Sequence, residues 1–221
     1  MGWNTSRRLG HLPLPVLIYF PYNGSPNKNS HLSRFAWSHK RRSLNGSAFA
    51  ALKADGSVVT WGGIGSGGDS SSVSTKLSSG ITQIFTNRDA FAALKSDGSV
   101  VAWGNYFSGG DSRAVAGNLA SGVAKIFSTD FAFAALKSDG SVVTWGATSY
   151  GGSSIAVASQ ISSSVAQIFS NGGAFSALRS DGSVVTLGSV YYGADSSLVA
   201  NQLRKLWVNG CGAAEATSKP V

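Results

Sequence analysis

One string recurs four times in this chain at an unvarying spacing. AFAALKADGSVVTWG starts at Ala48, AFAALKSDGSVVAWG at Ala90, AFAALKSDGSVVTWG at Ala132 and AFSALRSDGSVVTLG at Ala174, a period of 42 residues with no insertion. A fixed period of this size means one supersecondary unit that buries its faces against copies of itself. It directs the search for function to a repeated surface and away from a single catalytic pocket.

In each copy a short apolar run such as Phe133-Ala134-Ala135-Leu136 is followed by Ser138-Asp139-Gly140-Ser141 and then by Val142-Val143-Thr144-Trp145-Gly146. Asp-Gly between two apolar runs is a hairpin signal, because Gly supplies the positive φ of a tight turn. Val, Thr and Trp suit strands. The second half of the unit opens on a Gly-Gly loop. It continues through a small, polar stretch (Ala156 to Ser164) that reads as a weak strand or a short helical turn, and ends in a third strand, Val165 to Phe169. Ile81 to Phe85 and Val123 to Phe127 are its counterparts. Strands apolar on both faces suit sheets sandwiched between neighbours. The expected fold is all-β, a β-propeller-like array of about four blades forming an incomplete or open ring. A β-solenoid is the competing geometry.

The string ALKSDGSVVTWG followed by a Gly-Gly loop resembles the regulator of chromosome condensation repeat. It looks closest to the short bacterial repeats of the propeller-type β-lactamase inhibitor protein. The resemblance runs from about Ala48 to Leu203 and rests on Ala-Leu, Asp-Gly, Val and Trp-Gly at fixed offsets. It implies a propeller, and relatives that bind proteins, nucleosomes or small GTPases. Longer family members carry a His before the Ala-Leu pair and a Gly-Gln-Leu-Gly string after the Trp-Gly. Here the first is Ala or Phe and the second Gly-Gly-Asp-Ser.

Propellers close with about four to eight blades. Four copies therefore imply a ring that is small, open, completed by a second chain, or cut short. The chain divides into a basic, Pro-rich segment over 1–45 (an extension expected to be disordered or non-native), the repeats over 46–205, and an irregular tail over 206–221. The formal net charge of +8 is misleading. Seven of the eighteen Lys and Arg lie in residues 1–45, which hold no acid, and the other eleven face ten Asp and Glu. The repeats are nearly neutral, which disfavours nucleic acid as their partner, since phosphate contacts need clustered cations. Cys211 is the single cysteine, so redox compartment stays open. No run of eighteen apolar residues predicts a membrane span. Leu12 to Phe20 is a short, proline-broken apolar stretch and a poor signal peptide. Lys40-Arg41-Arg42 occupies the place where a strand should precede Ala48. A signal, a basic arm and out-of-frame sequence fused to a repeat gene are the three readings of this segment, and localisation is left open.

The repeats contain no His, Cys or Glu, so neither a Ser-His-Asp nor a Cys-His arrangement can form within them. No cofactor, no metal and no enzymatic activity are expected. Asp55, Asp97, Asp139 and Asp181 of the Asp-Gly turns read as turn residues that accept a backbone hydrogen bond, in preference to calcium ligands. Trp61, Trp103 and Trp145 give way to Leu187 in the fourth copy, which points to core packing.

The copies disagree in the loop after each Trp-Gly. It reads Gly63-Ile64-Gly65-Ser66, Asn105-Tyr106-Phe107-Ser108, Ala147-Thr148-Ser149-Tyr150 and Ser189-Val190-Tyr191-Tyr192. Variable loops on a constant framework carry binding, and Tyr gives wide contact at low entropic cost. The expected partner-binding residues are Tyr106, Phe107, Tyr150, Tyr191 and Tyr192, with the nearby acids Asp69, Asp111 and Asp195. The function so read is non-enzymatic recognition of an unidentified protein through one rim. The alternatives are a structural spacer that self-associates to complete its ring through an unpaired blade edge, a fragment of a longer repeat protein, and a carbohydrate-binding propeller.

Overall fold

The computed structural model describes Leu17–Tyr19, residues 48–199 and Gln202. In these residues the chain forms four antiparallel three-stranded sheets. The first is β1 (Leu17–Tyr19), β2 (Ala48–Leu52) and β3 (Val58–Gly62). The second is β4 (Ile81–Thr86), β5 (Ala90–Lys95) and β6 (Val100–Gly104). The third is β7 (Val123–Ser128), β8 (Ala132–Lys137) and β9 (Val142–Gly146), and the fourth β10 (Val165–Ser170), β11 (Ala174–Arg179) and β12 (Val184–Gly188). The fold is all-β, an array of four sheets resembling propeller blades with three strands each. The second, third and fourth sheets each pair the hairpin of one repeat with the third strand of the repeat before it, in antiparallel ladders between strands that follow one another along the chain. A solenoid would pair each strand with its counterpart in the next coil. The small, polar second half of the unit is 3-10 helix, at Ser71–Leu77, Arg113–Val115, Ile155–Gln160 and Ser197–Val199.

The hairpins close as their composition dictates. Gly98 and Gly140 sit at φ of 76° and 78°. The Asp97 carboxylate accepts from the Ser99 backbone N–H at 2.9 Å and from its hydroxyl at 2.6 Å. Asp55 and Asp139 do the same with Ser57 and Ser141. These aspartates are turn-formers.

The outer strand of the first sheet comes from residues 17–19. Ile18 stands opposite Ala51 as Ile84 stands opposite Ala93, and Tyr19 opposite Ala50 as Phe85 opposite Ala92. Leu-Ile-Tyr thus takes the register of Gln-Ile-Phe. Lys40-Arg41-Arg42, Cys211 and the tail over 206–221 lie outside the described residues.

The core lies between the sheets. Side chains of a strand alternate between faces. In β5 this puts Ala90, Ala92 and Leu94 on a trailing face, towards the next repeat, and Phe91 and Ala93 on a leading face, towards the previous one. The trailing face of sheet one (Ala48, Ala50, Leu52) packs on the leading face of sheet two (Phe91, Ala93, Val101, Trp103). Sheets two and three, and three and four, repeat that contact. Gly67, at φ of 94°, closes the seam: a Cβ there would stand 2.8 Å from the Phe91 ring. The Trp103 indole N–H donates to the Gly67 carbonyl at 3.1 Å, and Trp145 to that of Gly109 at 3.0 Å. Trp103 and Trp145 are core residues, and Leu187 is buried in their place. Trp61 faces away from sheet two and is 43% exposed, against 2% for Trp103.

The two tryptophan classes separate by experiment. Trp145→Ala removes a buried ring and is expected to destabilise by about 3–5 kcal/mol. Trp61→Ala is expected to cost about 1 kcal/mol or less. Urea unfolding of the two variants measures the difference, and equal losses would mean that the tryptophans stabilise their own hairpins and not the sheet-to-sheet contacts.

Candidate functional site

Every loop after a Trp-Gly or Leu-Gly leaves the same end of its sheet and folds as one turn of 3-10 helix. The turns span Ile64–Ser66, Tyr106–Ser108, Thr148–Tyr150 and Val190–Tyr192. Each ends on a left-handed Gly whose N–H returns to the first residue of the turn, as Gly109 does to Tyr106. In the first three copies a second glycine follows under close confinement, since a Cβ on Gly110 would lie 2.4 Å from the Gly104 carbonyl, and the fourth copy carries Ala194 there. The backbone of the turn is thus fixed while its first two side chains are free to vary. They point outward: Tyr106 is 62% exposed, Phe107 77% and Tyr191 94%.

A second loop on this end holds the second, third and fourth turns in place. Asn87, in the β4–β5 hairpin, donates from its amide to the Ser108 carbonyl at 2.6 Å and accepts from the Ala90 N–H at 2.9 Å. Thr129 and Asn171 bond in the same way to the carbonyls of Tyr150 and Tyr192. Asn87 and Thr129 are buried, so these bonds lie out of water. Adjacent repeats are tied on this side as well. Arg88 N–H donates to the Asp130 carbonyl at 3.2 Å, and the Ser128 hydroxyl to the Thr86 carbonyl, one period earlier, at 2.9 Å. The four turns therefore stand side by side along one rim.

The third position of the turn has a different role. Ser66 and Ser108 are buried there, and Tyr150 and Tyr192 replace them. Tyr150 is half-buried, packed against the third inter-sheet core and edge-on to Phe131 at 4.8 Å. Tyr192 lies 6.3 Å from Tyr150. Tyr106, Phe107 and Tyr191 are thus free surface, Tyr150 also supports the seam, and Tyr192 is exposed and meets the seam through the Tyr150 ring. The hairpin-loop residues at this rim are absent from the sequence-based expectation. Phe131 continues the line of rings, with the Arg88 guanidinium over its face at 5.3 Å. Their signal lies in the register: positions 88, 130 and 172 read Arg, Asp and Gly, and positions 89, 131 and 173 read Asp, Phe and Gly.

The three acids start the next 3-10 segments. Asp69 accepts from the Ser71 N–H and Asp195 from the Ser197 N–H, and those bonds hold both carboxyls below the usual range. Asp111 grips the Arg113 guanidinium at 2.6 Å and is held low by it. A cleft of about 370 Å³ opens between Tyr106, Phe107 and Asp111 on one repeat and Trp145, Ala147 and Thr148 on the next. The buried Thr144 hydroxyl lines it and has no hydrogen-bond partner within the protein. Among the described residues no three His, Cys, Asp or Glu come together as a metal site. No helix among them is long and apolar enough to cross a membrane.

The opposite end of the array carries the Asp-Gly turns. There Asp55 is lowered to about 2, first by the Ser57 hydroxyl, and Asp97 and Asp139 are lowered by Ser99 and Ser141. A carboxyl with a depressed folded pKa contributes stability that is present above its unfolded value and is lost as pH falls through the folded one. The melting temperature is therefore expected to fall between about pH 4 and pH 2. Burial raises Asp89, which opposes this trend as pH rises above the ordinary carboxylate value. A melting temperature that is flat from pH 5 to about pH 2 would refute the turn contribution.

No family model and no curated protein matches the sequence. Several solved structures are partly similar. Prp20p of Saccharomyces cerevisiae matches at 19% identity over 64% of this chain and 41% of its own, with a TM-score of 0.42. The CRINKLY WD40 ectodomain of the Arabidopsis thaliana receptor kinase ACR4 matches at 14% over 70% and 51%, with a TM-score of 0.43. Human WBSCR16 matches at 19% over 74% and 53%, with a TM-score of 0.40. This chain spans about two fifths to one half of the length of each.

Proposed function

We infer that this chain is a non-enzymatic recognition module that binds a protein through the rim of 3-10 turns. The observation that carries the reading is the exposure of Tyr106, Phe107 and Tyr191 on turns whose backbone is fixed by glycine caps and by Asn87 and Asn171. Exposed aromatics on a rigid support lose little entropy on binding, and Tyr and Trp are over-represented among residues that dominate binding energy. Phe131, Arg88 and the cleft between Phe107 and Thr148 extend the surface with an aromatic, a cation and a recess. The near-neutral repeats favour a protein over a nucleic acid. A sugar is the second reading, favoured by the exposed rings of Tyr106 and Phe107 beside the cleft, on which a sugar face can stack.

A photo-crosslinking residue at position 107, used in an extract of the source organism, identifies the partner. Its affinity is then measured by calorimetry for the wild type and for the triple variant Tyr106→Ser, Phe107→Ser, Tyr191→Ser. These side chains are exposed, so the variant is expected to melt like the wild type while binding at least ~30-fold more weakly. Unchanged affinity removes the rim from consideration. A glycan screen that finds wild-type binding, lost in the same variant, moves the assignment to the sugar reading.

A further inference from the structure

Among the described residues the contact between neighbouring sheets is made three times, and both of its halves stand unmatched at the two ends of the array. On the leading face of sheet one, Val59 is 49% exposed, whereas Val101 in sheet two is 6% exposed. The Trp61 ring beside it stacks on Phe49 at 5.3 Å, in the geometry of Phe91 on Trp103. In sheets two and three the corresponding indole N–H reaches a Gly carbonyl of the preceding repeat, and the Trp61 N–H has no such preceding repeat among the described residues.

The trailing end of the array presents the complement. Phe85 and Phe127 pack into the second and third cores, and their counterpart Phe169 is 52% exposed. Val73, Val115 and Val157 pack likewise, while Val199 is exposed. Gly67, Gly109 and Gly151 each press on a phenylalanine ring of the next sheet; at Gly193, the fourth in the series, no described atom would lie within 4 Å of a Cβ. Its carbonyl is the acceptor in the register that Trp61 requires, since Gly67 and Gly109 occupy that place for Trp103 and Trp145.

We propose that the leading face of sheet one, centred on Val59 and Trp61, docks on the trailing face of sheet four of a second copy of this chain, centred on Phe169, Val199 and Gly193. The occupant follows from the faces themselves: the residues that meet are those of an interface the chain already forms with itself. Such a contact is head-to-tail, joining unlike surfaces, so it extends or closes into a ring. The described residues of two copies bring eight sheets, within the range of about four to eight blades that close around an axis. The adhesive surface is the sheet face, whereas an unpaired strand edge was the expected sticky element.

Sedimentation of the full chain at about 100 µM tests this, since a micromolar contact is saturated there. The wild type is expected at twice the 22.7 kDa of one chain, or at higher multiples. Trp61→Lys and Phe169→Lys each block one face and are each expected at one-chain mass, with association weakened ~30-fold or more. Mixed together, they keep one good face each and are expected to form a 1:1 pair that grows no further. Circular dichroism confirms that each variant is folded. Dilution of the wild type gives a second readout, a red shift of tryptophan emission as Trp61 meets water. A wild type that stays at one-chain mass overturns the proposal and leaves these faces to a protein of different sequence. A blocked variant that still self-associates like the wild type overturns it too, because the contact would then join like faces.

Discussion

A large ring pressed on a surface of alanine and glycine is the contact from which this molecule is assembled. Phe91 and Trp103 stack on one another across β5 and β6 and present one thick plate to the preceding repeat. The plate fits because Ala48, Ala50 and Gly67 oppose it with almost no side chain. Close packing of this kind gains dispersion and apolar burial together, and tolerates little change of volume. The indole N–H is satisfied on the neighbouring Gly carbonyl, so the seam has direction as well as area. Strand, turn and period all serve to bring the next plate into the same relation.

The rim is built from the same seam. Gly109 ends the turn that carries Tyr106 and Phe107, and it is also the residue that receives Phe133 and the Trp145 N–H. The turn therefore cannot shift without opening the core. Its outward positions are released from that constraint, which is why Ile64, Tyr106, Thr148 and Val190 differ so freely. Packing and the proposed recognition use opposite sides of three residues. At the third residue the two demands meet. Serine is buried in two copies, and tyrosine in the other two reaches out over Phe131 and Gly173.

Much of the site is legible in the amino-acid sequence. The variable turns, their common end and the aromatic bias follow from comparing copies in register. What the sequence does not reveal is the part that depends on direction. Asp69, Asp111 and Asp195 stand near the turns in sequence, yet each carboxylate is engaged by a backbone N–H two residues ahead, and Asp111 also by Arg113. Tyr150 and Tyr192 share a letter with Tyr106 but not an environment, since position in a 3-10 turn decides which side chain meets the core. Phe131 and Arg88 join the surface from another loop altogether, brought there by the pairing of β7 with β8 and by the stacking of sheet on sheet.

The amino-acid order alone determines the unit of this fold. Asp-Gly fixes each hairpin, alternation within AFAALK assigns a small face and a large one, and the 42-residue period makes every seam alike. These are local rules of turn chemistry and strand pleat, and they act wherever the string occurs. Other features were decided by distance in space. Leu17–Tyr19 completes the first sheet, because a strand edge selects an apolar segment by register and not by proximity along the chain. Trp61 differs from Trp103 for a similar reason. Their sequences match, but burial is a property of the neighbour, and the first plate in a stack has a described neighbour on one side alone.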